Sequence, residues 1–231
     1  VKKVWFRRAV IMNCKNANTC NADGEEKAQK MCELAAEQLG IPSEEVLVAS
    51  TGVIGMQLPT DRIAAGVRAM APKLSGTTEA GTRASRAIMT TDTHPKHLSC
   101  LLEVGGKTVH LGAMCKGSGM IAPNMCTMLA FLTTDINIDQ ALLQEALSYV
   151  VEDTYNMISV DGDTSTNDTC LVLANGIAEN PVITEKNADY AAFVEALQAL
   201  CIRLAREMAS DGEGAKPLIT CTVRGARTAS P

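Results

Sequence analysis

The amino-acid sequence predicts a mixed α/β protein in which helices and strands pack in layers. Two observations support this prediction. Helix-like and strand-like segments alternate along most of the 231 residues, and Gly105-Gly106 separates two apolar segments. A pair of glycines between such segments indicates a β-hairpin. Because a hairpin joins antiparallel strands, we expect mixed layers of helix and sheet and not a purely parallel sheet.

The first part of the chain predicts a strand, a helix and a second strand. Residues 8–13 form a short apolar run typical of a buried strand. Asp23-Gly-Glu-Glu places acidic residues in a first helical turn, and Gly40 ends this helix after an apolar stripe. Residues 46–50 predict the second strand, which ends at Thr51-Gly52.

The later elements follow from the same signals. Long segments with apolar residues three and four positions apart predict helices, and short apolar runs predict strands. The predicted helices are 60–72, 76–88, 139–158 and 188–209, and the predicted strands are 98–104, 108–113, 127–132 and 218–223.

The composition excludes several classes of partner. With 46% hydrophobic and 20% charged residues, the chain can bury a sizeable core and fits one large domain or two small ones. A formal net charge of -5 offers no basic surface to nucleic acid or anionic lipid. The longest uncharged run, 117–134, is too polar for a membrane-spanning helix. We therefore expect neither a nucleic-acid partner nor a membrane segment.

Cysteine and histidine usage predicts a cytoplasmic protein without a metal site. The nine cysteines are scattered and form no C-x-x-C pair, and no apolar leader follows the basic N-terminal residues. This pattern favours reduced thiols in the cytoplasm. The three histidines have no cysteine pair at zinc-ligand spacing. Residues 161–172 begin like a calcium loop, but they have Thr166 and Val172 where glycine and glutamate are required.

The junction between Cys126 and Thr127 is the most informative feature of the chain. A flexible polar segment runs from Lys116 into an apolar segment that begins with the Thr127 hydroxyl. If the Cys126–Thr127 peptide is cleaved, Thr127 gains an α-amine beside its own Oγ. An α-amine has a pKa of about 7.7 to 8, so it can serve as a base near neutral pH. Threonine before an apolar run is also ordinary strand composition.

Four further polar segments are candidates for a site. Ser50-Thr51-Gly52 follows a strand, where a hydroxyl and backbone N–H groups could hold an oxyanion, or where a glycine turn simply ends the strand. Residues 88–96, 161–168 and 210–216 are rich in hydroxyls and carboxylates that suit either a polar substrate or ordinary turns. Residues 114–119 lack the order of a phosphate-binding loop, and we expect no cofactor.

Taken together, these segments resemble the ornithine acetyltransferase family, the bifunctional glutamate N-acetyltransferases of arginine biosynthesis. The resemblance runs in order through residues 50–55, 89–93, 116–129, 161–168 and 211–215. It implies a layered α-β-β-α sandwich of the self-processing type. It also implies cleavage into an α-chain part, 1–126, and a β-chain part, 127–231, which form one interleaved catalytic unit and an α/β hetero-oligomer.

The resemblance also implies the chemistry. Thr127 would take acetyl from N-acetylornithine, or from acetyl-CoA as a donor substrate, and glutamate would then accept it. Thr51 and Gly52 would form the oxyanion hole. Thr90, Lys116 and Glu213 would contact the substrate together with Thr127, with Lys116 suited to a carboxylate and Glu213 to an amine.

Two departures from the family pattern and two alternatives accompany this interpretation. The family typically has alanine where Cys126 stands. Its further N-terminal and C-terminal portions, the latter supplying an Asn and a Thr to the substrate site, are expected to be missing here, so the chain is expected to be a fragment. The alternatives are a self-processing aminopeptidase of related fold and an inactive fragment that keeps the fold.

Overall fold

The computed structural model describes residues 6–123 and 128–225. Six strands and five α-helices lie in this described part of the chain. In order they are β1 (Ala9–Asn13), α1 (Gly24–Leu39), β2 (Val46–Ser50), α2 (Thr60–Met70), α3 (Thr78–Ala87), β3 (Lys96–Val104), β4 (Lys107–Lys116), β5 (Leu129–Thr134), α4 (Gln140–Glu152), β6 (Thr169–Ala174) and α5 (Ala188–Ser210).

The strands form two sheets. β1 and β2 pair in parallel, whereas the larger sheet has the order β3-β4-β5-β6. Its β3–β4 and β4–β5 pairs are antiparallel, and its β5–β6 pair is parallel. The predicted hairpin is confirmed: Gly105 and Gly106 have φ of 54° and 76°, and they join Val104 to Lys107. Positive φ at both loop residues is what a tight two-residue hairpin requires, and glycine adopts it without strain.

Three apolar clusters hold the layers together. One face of the larger sheet packs against α4 and α5, with Val109 and Leu111 among the sheet residues and Phe193 and Leu197 among the helix residues. A second cluster packs α1 and α2 on the smaller sheet. A third cluster joins the two sheets, and it includes Ala49, Leu129 and Phe131. The layers therefore follow the order helix, sheet, sheet, helix, and the predicted α-β-β-α sandwich is confirmed.

Three sequence predictions need correction. The helix predicted over 139–158 ends at Glu152, because Thr154 leaves the helical region with φ of -133° and its hydroxyl donates to the Val150 carbonyl. The strand predicted over 218–223 is wrong, since this segment has no regular structure and no described strand lies beside it to pair with it. β6 was not predicted, although it completes the larger sheet.

Candidate active site

The ends of four strands meet at one edge of the larger sheet. The pairing register places Lys96 at the start of β3 beside Cys115, near the end of β4. Lys116, the last residue of β4, pairs with Leu129 at the start of β5, and Leu129 pairs with Thr169 at the start of β6. The loop that carries Thr90 leads into this edge at Lys96, and the 116–119 loop leaves it at the end of β4.

The proposed cleavage point, Cys126–Thr127, lies outside the described residues. The residue that follows it is well placed: the Met128 N–H donates to Asp168 Oδ1 at 3.0 Å. Met128 is 1% exposed and leads directly into β5. The residue after the junction is thereby fixed to the loop before β6, a few residues from the point where Lys116 ends β4.

Thr51 and Gly52 follow β2 and are bound to the segment after β1. The Thr51 N–H donates to the Asn13 carbonyl at 3.1 Å, and this donor is therefore engaged within the fold. Among the described residues, neither the Thr51 hydroxyl nor the Gly52 N–H donates a hydrogen bond. Gly52 has φ of 129°, and a side-chain carbon there would lie 2.1 Å from the carbonyl carbon of Lys15. Only glycine fits this close approach of two backbones.

Thr90, Lys116 and Glu213 come from distant parts of the sequence, and their loops are hydrogen-bonded together. The Glu213 N–H donates to the Ser118 carbonyl at 2.7 Å. The Glu213 carboxylate lies against Gly119, where an added side-chain carbon would be 2.5 Å from Glu213 Cδ. The hydroxyls of Thr91 and Ser118 share a hydrogen bond of 2.7 Å. Residues 90–91, 116–119 and 213 therefore form one group.

A buried ion cluster of Asp92, Lys96 and Asp211 lies beneath this group. Lys96 Nζ is 2.8 Å from Asp92 Oδ1 and 2.5 Å from Asp211 Oδ2, and the three side chains are at most 3% exposed. Asp92 also accepts the N–H groups of Gly117 at 2.8 Å and Thr90 at 3.1 Å. Burial by itself would raise the pKa of Asp92, but the Lys96 ammonium and these N–H donors hold it below its usual value.

Lys116 is a second buried cation at this edge, with 2% exposure. No carboxylate of the described residues lies within 4 Å of its ammonium. Burial lowers its pKa, while the charges of Asp92 and Asp168 act in the opposite direction and that of Lys96 adds to the lowering. A buried ammonium without a close partner is suited to bind an incoming carboxylate.

The segment that leads from Lys116 toward the junction is held by Asp161. Asp161 Oδ2 accepts the Met120 N–H at 2.6 Å, and Oδ1 accepts the Ile121 N–H at 2.8 Å and the Asp163 N–H at 3.1 Å. The carboxylate that resembled a calcium ligand in the sequence is thus a backbone acceptor. At the other end of the same loop, Asn167 bonds to Thr19 and to Asn18, each at 2.6 Å. This loop therefore connects the segment that leads to the junction with the connection between β1 and α1.

Comparison with known proteins identifies the family of the chain. Residues 1–231 match the ArgJ family over their whole length. The chain belongs to this family. The arginine biosynthesis bifunctional protein ArgJ of Symbiobacterium thermophilum is 56% identical to it over 224 residues, which are 96% of this chain and 55% of that protein. The ArgJ protein of Lactococcus lactis is 50% identical over 220 residues, 95% of this chain and 54% of that protein.

The chain thus spans about half the length of the ArgJ relatives that it matches. A crystal structure of the ArgJ protein of Bacillus halodurans has 43% sequence identity and a TM-score of 0.46, and the match covers 50% of this chain and 60% of that one. No helix in the described residues is long and apolar enough to cross a membrane. The eight cysteines in the described residues are free thiols.

The ion cluster and Asp168 are site features that the sequence interpretation missed. Asp92, Asp211 and Asp168 lie in segments already singled out as polar, but no role was assigned to them. One signal could have identified Lys96. Lys96 lies on the same side of β3 as Leu98, Cys100 and Leu102, which face the apolar core. A lysine at such a position predicts a buried cation that needs a carboxylate partner.

Proposed function

We propose that this chain is part of a self-cleaving N-acetyltransferase of arginine biosynthesis that moves acetyl from N-acetylornithine to glutamate. One observation carries the proposal. The three residues that the family resemblance assigns to the substrate, Thr90, Lys116 and Glu213, belong to loops that are hydrogen-bonded together at the edge where β5 begins. The names of the relatives, which are called bifunctional proteins of arginine biosynthesis, point to the same class of reaction.

Self-cleavage is the first step of the proposed mechanism. Thr127 Oγ attacks the carbonyl carbon of Cys126, and the Thr127 nitrogen takes the hydroxyl proton as its bond to this carbon breaks. The ester that forms is hydrolysed by water, which leaves a carboxylate on Cys126 and a free α-amine on Thr127. The hydroxyl nucleophile then has its own base on the same residue.

Acetyl transfer follows in two half-reactions. The Thr127 amine accepts the hydroxyl proton as Oγ attacks the acetyl carbonyl of N-acetylornithine, and it returns that proton to the leaving amine of ornithine. The Thr51 hydroxyl and the Gly52 N–H stabilise the oxyanion, and the loss of one such donor typically slows a reaction about 10²- to 10³-fold. The glutamate amine then attacks the acetyl ester, which gives N-acetylglutamate and restores the Thr127 hydroxyl.

The substrate contacts divide by charge. The Lys116 ammonium binds the carboxylate of the substrate, and the exposed Glu213 carboxylate binds the amine of ornithine. The same reaction scheme accepts acetyl-CoA as a second acetyl donor, without a bound cofactor. After cleavage the two parts stay together as an α/β assembly.

Intact-mass spectrometry of the full-length gene product, with and without N-acetylornithine, tests the proposal. We expect two pieces, of which the one that begins at Thr127 gains one acetyl group in the presence of the donor. Thr127→Ala should leave a single chain that gains none. Cys126→Ala, which restores the residue typical of the family, is the matched control and should still cleave.

The same experiment, together with an assay of amino-acid release from peptides, separates the alternatives. Release of free amino acids from peptides without an acetyl adduct would favour an aminopeptidase. A single chain that never gains acetyl would favour an inactive fragment, and either result contradicts the proposal.

A further inference from the structure

The cluster of Asp92, Lys96 and Asp211 carries a net negative charge. Two carboxylates face one ammonium, so the ionised cluster has a net charge of -1. The half-exposed His94 ring lies near it, with Nδ1 at 3.6 Å from Asp211 Oδ1. A buried net charge is unfavourable unless another charge balances it.

Lys116 is the other buried lysine of the described residues, and its chain neighbour is bonded to this cluster. Lys116 is adjacent to Gly117, whose N–H donates to Asp92 Oδ1 at 2.8 Å. The charged or titratable groups that act on Lys116 come from several elements: Asp92, Lys96, Asp168 and Cys14. Burial opposes its ammonium form most strongly and Lys96 adds to this effect, whereas Asp92 and Asp168 favour the ammonium. With Lys116 included, the charged side chains buried among the described residues are two carboxylates and two ammonium groups.

Each member of the cluster is also attached to a loop of the site. Asp92 holds the N–H groups of Thr90 and Gly117, so it fixes the 90 loop to the end of β4. Asp211 accepts the Thr93 N–H at 3.0 Å and lies two residues before Glu213, just after α5. Lys96 joins the two carboxylates at the start of β3.

We propose that Asp92, Lys96 and Asp211 form a positioning cluster for the acetyltransferase site. The cluster fixes the loops of Thr90, Lys116 and Glu213. Its net negative charge keeps Lys116 protonated, so that the ammonium can bind the substrate carboxylate. This inference rests on the proposed function for the identity of the substrate. The effect of the cluster on the charge of Lys116 does not rest on the proposed function, because that charge is measured without any reaction.

The test is a pH titration of Lys116 in the full-length gene product. Isotope-labelled lysine reports the Lys116 Cε chemical shift by NMR, and Lys116→Met assigns the signal. Asp92→Asn should lower the titration midpoint by about one pH unit, because it removes the charge that most favours the ammonium form. Adding Lys96→Met to Asp92→Asn should bring the midpoint back toward the wild-type value, because it removes the opposing charge as well. Glu145→Gln, at an exposed surface pair, is the control and should leave the midpoint unchanged.

The recovery in the double variant separates electrostatic control from simple structural damage. If the cluster only held the fold together, removal of two members would be worse than removal of one. A midpoint that does not move in Asp92→Asn, or that falls further in the double variant, would overturn the inference. If the double variant does not fold, Lys96→Met alone decides: we expect an upward shift, and a downward one contradicts the inference.

Kinetics connect the titration with catalysis. As the pH increases into the alkaline range, Lys116 loses its proton and the KM for N-acetylornithine should rise. This rise should occur at a lower pH in Asp92→Asn than in wild type, while kcat changes less. The amine of the substrate titrates equally in every variant, so the comparison isolates Lys116. If wild type forms no acetyl adduct, the proposed function fails, and the NMR titration still decides whether the cluster controls Lys116.

Discussion

The carboxylate of Glu213 occupies the space that a side chain at Gly119 would need. A side-chain carbon on Gly119 would lie 2.5 Å from both Cδ and Oε1 of Glu213. Because Gly119 has no side chain, Glu213 can lie over the 116–119 loop. The Glu213 N–H donates to the Ser118 carbonyl of the same loop. Gly119 is therefore expected to determine where the amine of the substrate binds.

Gly119→Ala should weaken substrate binding without unfolding the protein. The new methyl group must displace the Glu213 side chain, which is exposed and can move. A charge-assisted hydrogen bond contributes about 1.5 to 3 kcal/mol, so the KM for N-acetylornithine should rise about tenfold or more.

Gly81→Ala is the control for this change. Nothing lies within 4 Å of the added carbon at Gly81, which is inside α3. This variant should keep the wild-type KM and gain up to about 1 kcal/mol in unfolding free energy. Steady-state kinetics and urea unfolding provide both measurements, and an unchanged KM in Gly119→Ala would contradict the prediction.

Gly52→Ala should disrupt the oxyanion donors and the fold together. Its side-chain carbon would lie 2.1 Å from the Lys15 carbonyl carbon and 2.5 Å from the Asn16 nitrogen, and both are backbone atoms. We expect a loss of about 3 kcal/mol or more in unfolding free energy and no measurable acetyl transfer.

Gly55→Ala separates this clash from backbone strain. Gly55 also has a positive φ, 79°, but nothing lies within 4 Å of an added carbon. Only the strain remains, and it costs about 1 kcal/mol. Equal losses in the two variants, measured by urea unfolding, would show that the contact with residues 15 and 16 does not matter.

Asp161→Ala should slow self-cleavage. Its carboxylate holds the Met120 and Ile121 N–H groups, and Met120 has a positive φ of 56° that is strained for a residue with a side chain. Without this acceptor, the segment that leads to the junction loses about 1 to 2 kcal/mol of restraint. The amount of uncleaved chain over time, measured on denaturing gels, should rise relative to wild type.

Asp163→Ala is the matched control, because Asp163 contributes only its backbone N–H to the Asp161 carboxylate. Its cleavage should proceed at the wild-type rate. A wild-type rate in Asp161→Ala as well would contradict a role for this carboxylate.

Acid should destabilise the protein through the buried cluster. Burial by itself would raise the pKa of Asp211, but Lys96 and Thr93 hold it below its usual value, as Lys96 and the backbone donors do for Asp92. Because the folded pKa values lie below the unfolded ones, this stability is present above about pH 5 and is lost as the pH falls through the unfolded value toward the folded ones.

Urea unfolding between about pH 2 and pH 6 measures this loss. Asp211→Asn should be less stable than wild type at pH 6, and its stability should fall less as the pH decreases. A parallel decline in both proteins would assign the acid sensitivity to other carboxylates.

Local signals predicted the first half of the fold well. The hydrophobic periodicity, the helix-end signals and the glycines predicted the bounds of β1, α1 and β2 to within a residue or two. Gly105-Gly106 predicted the position of the hairpin. The strand predicted over 218–223 failed because strand-like composition needs a neighbouring strand, and no described strand lies beside it. β6 has no alternating polar face, since its residues 170–174 are uniformly apolar and pack on the parallel strand β5.

The site was predicted in part. Family resemblance selected Thr90, Lys116 and Glu213, and the structure brings their loops together. The roles of all the candidate residues stay predictions: Thr51, Gly52, Thr90, Lys116, Cys126, Thr127 and Glu213. Of the ion cluster, Asp211 was beyond reach because it is 115 residues from Lys96, and no local pattern reports a contact over that separation.

The position of β5 has a consequence for the proposed cleavage. β5 follows the junction and pairs with β4, which precedes it, and both lie inside the same apolar cluster. Cleavage would therefore break the chain between β4 and β5 but leave the hydrogen bonds between these two strands intact. The two parts would separate only when the sheet unfolds. A separation under native conditions should therefore give one species whose mass is the sum of the two parts.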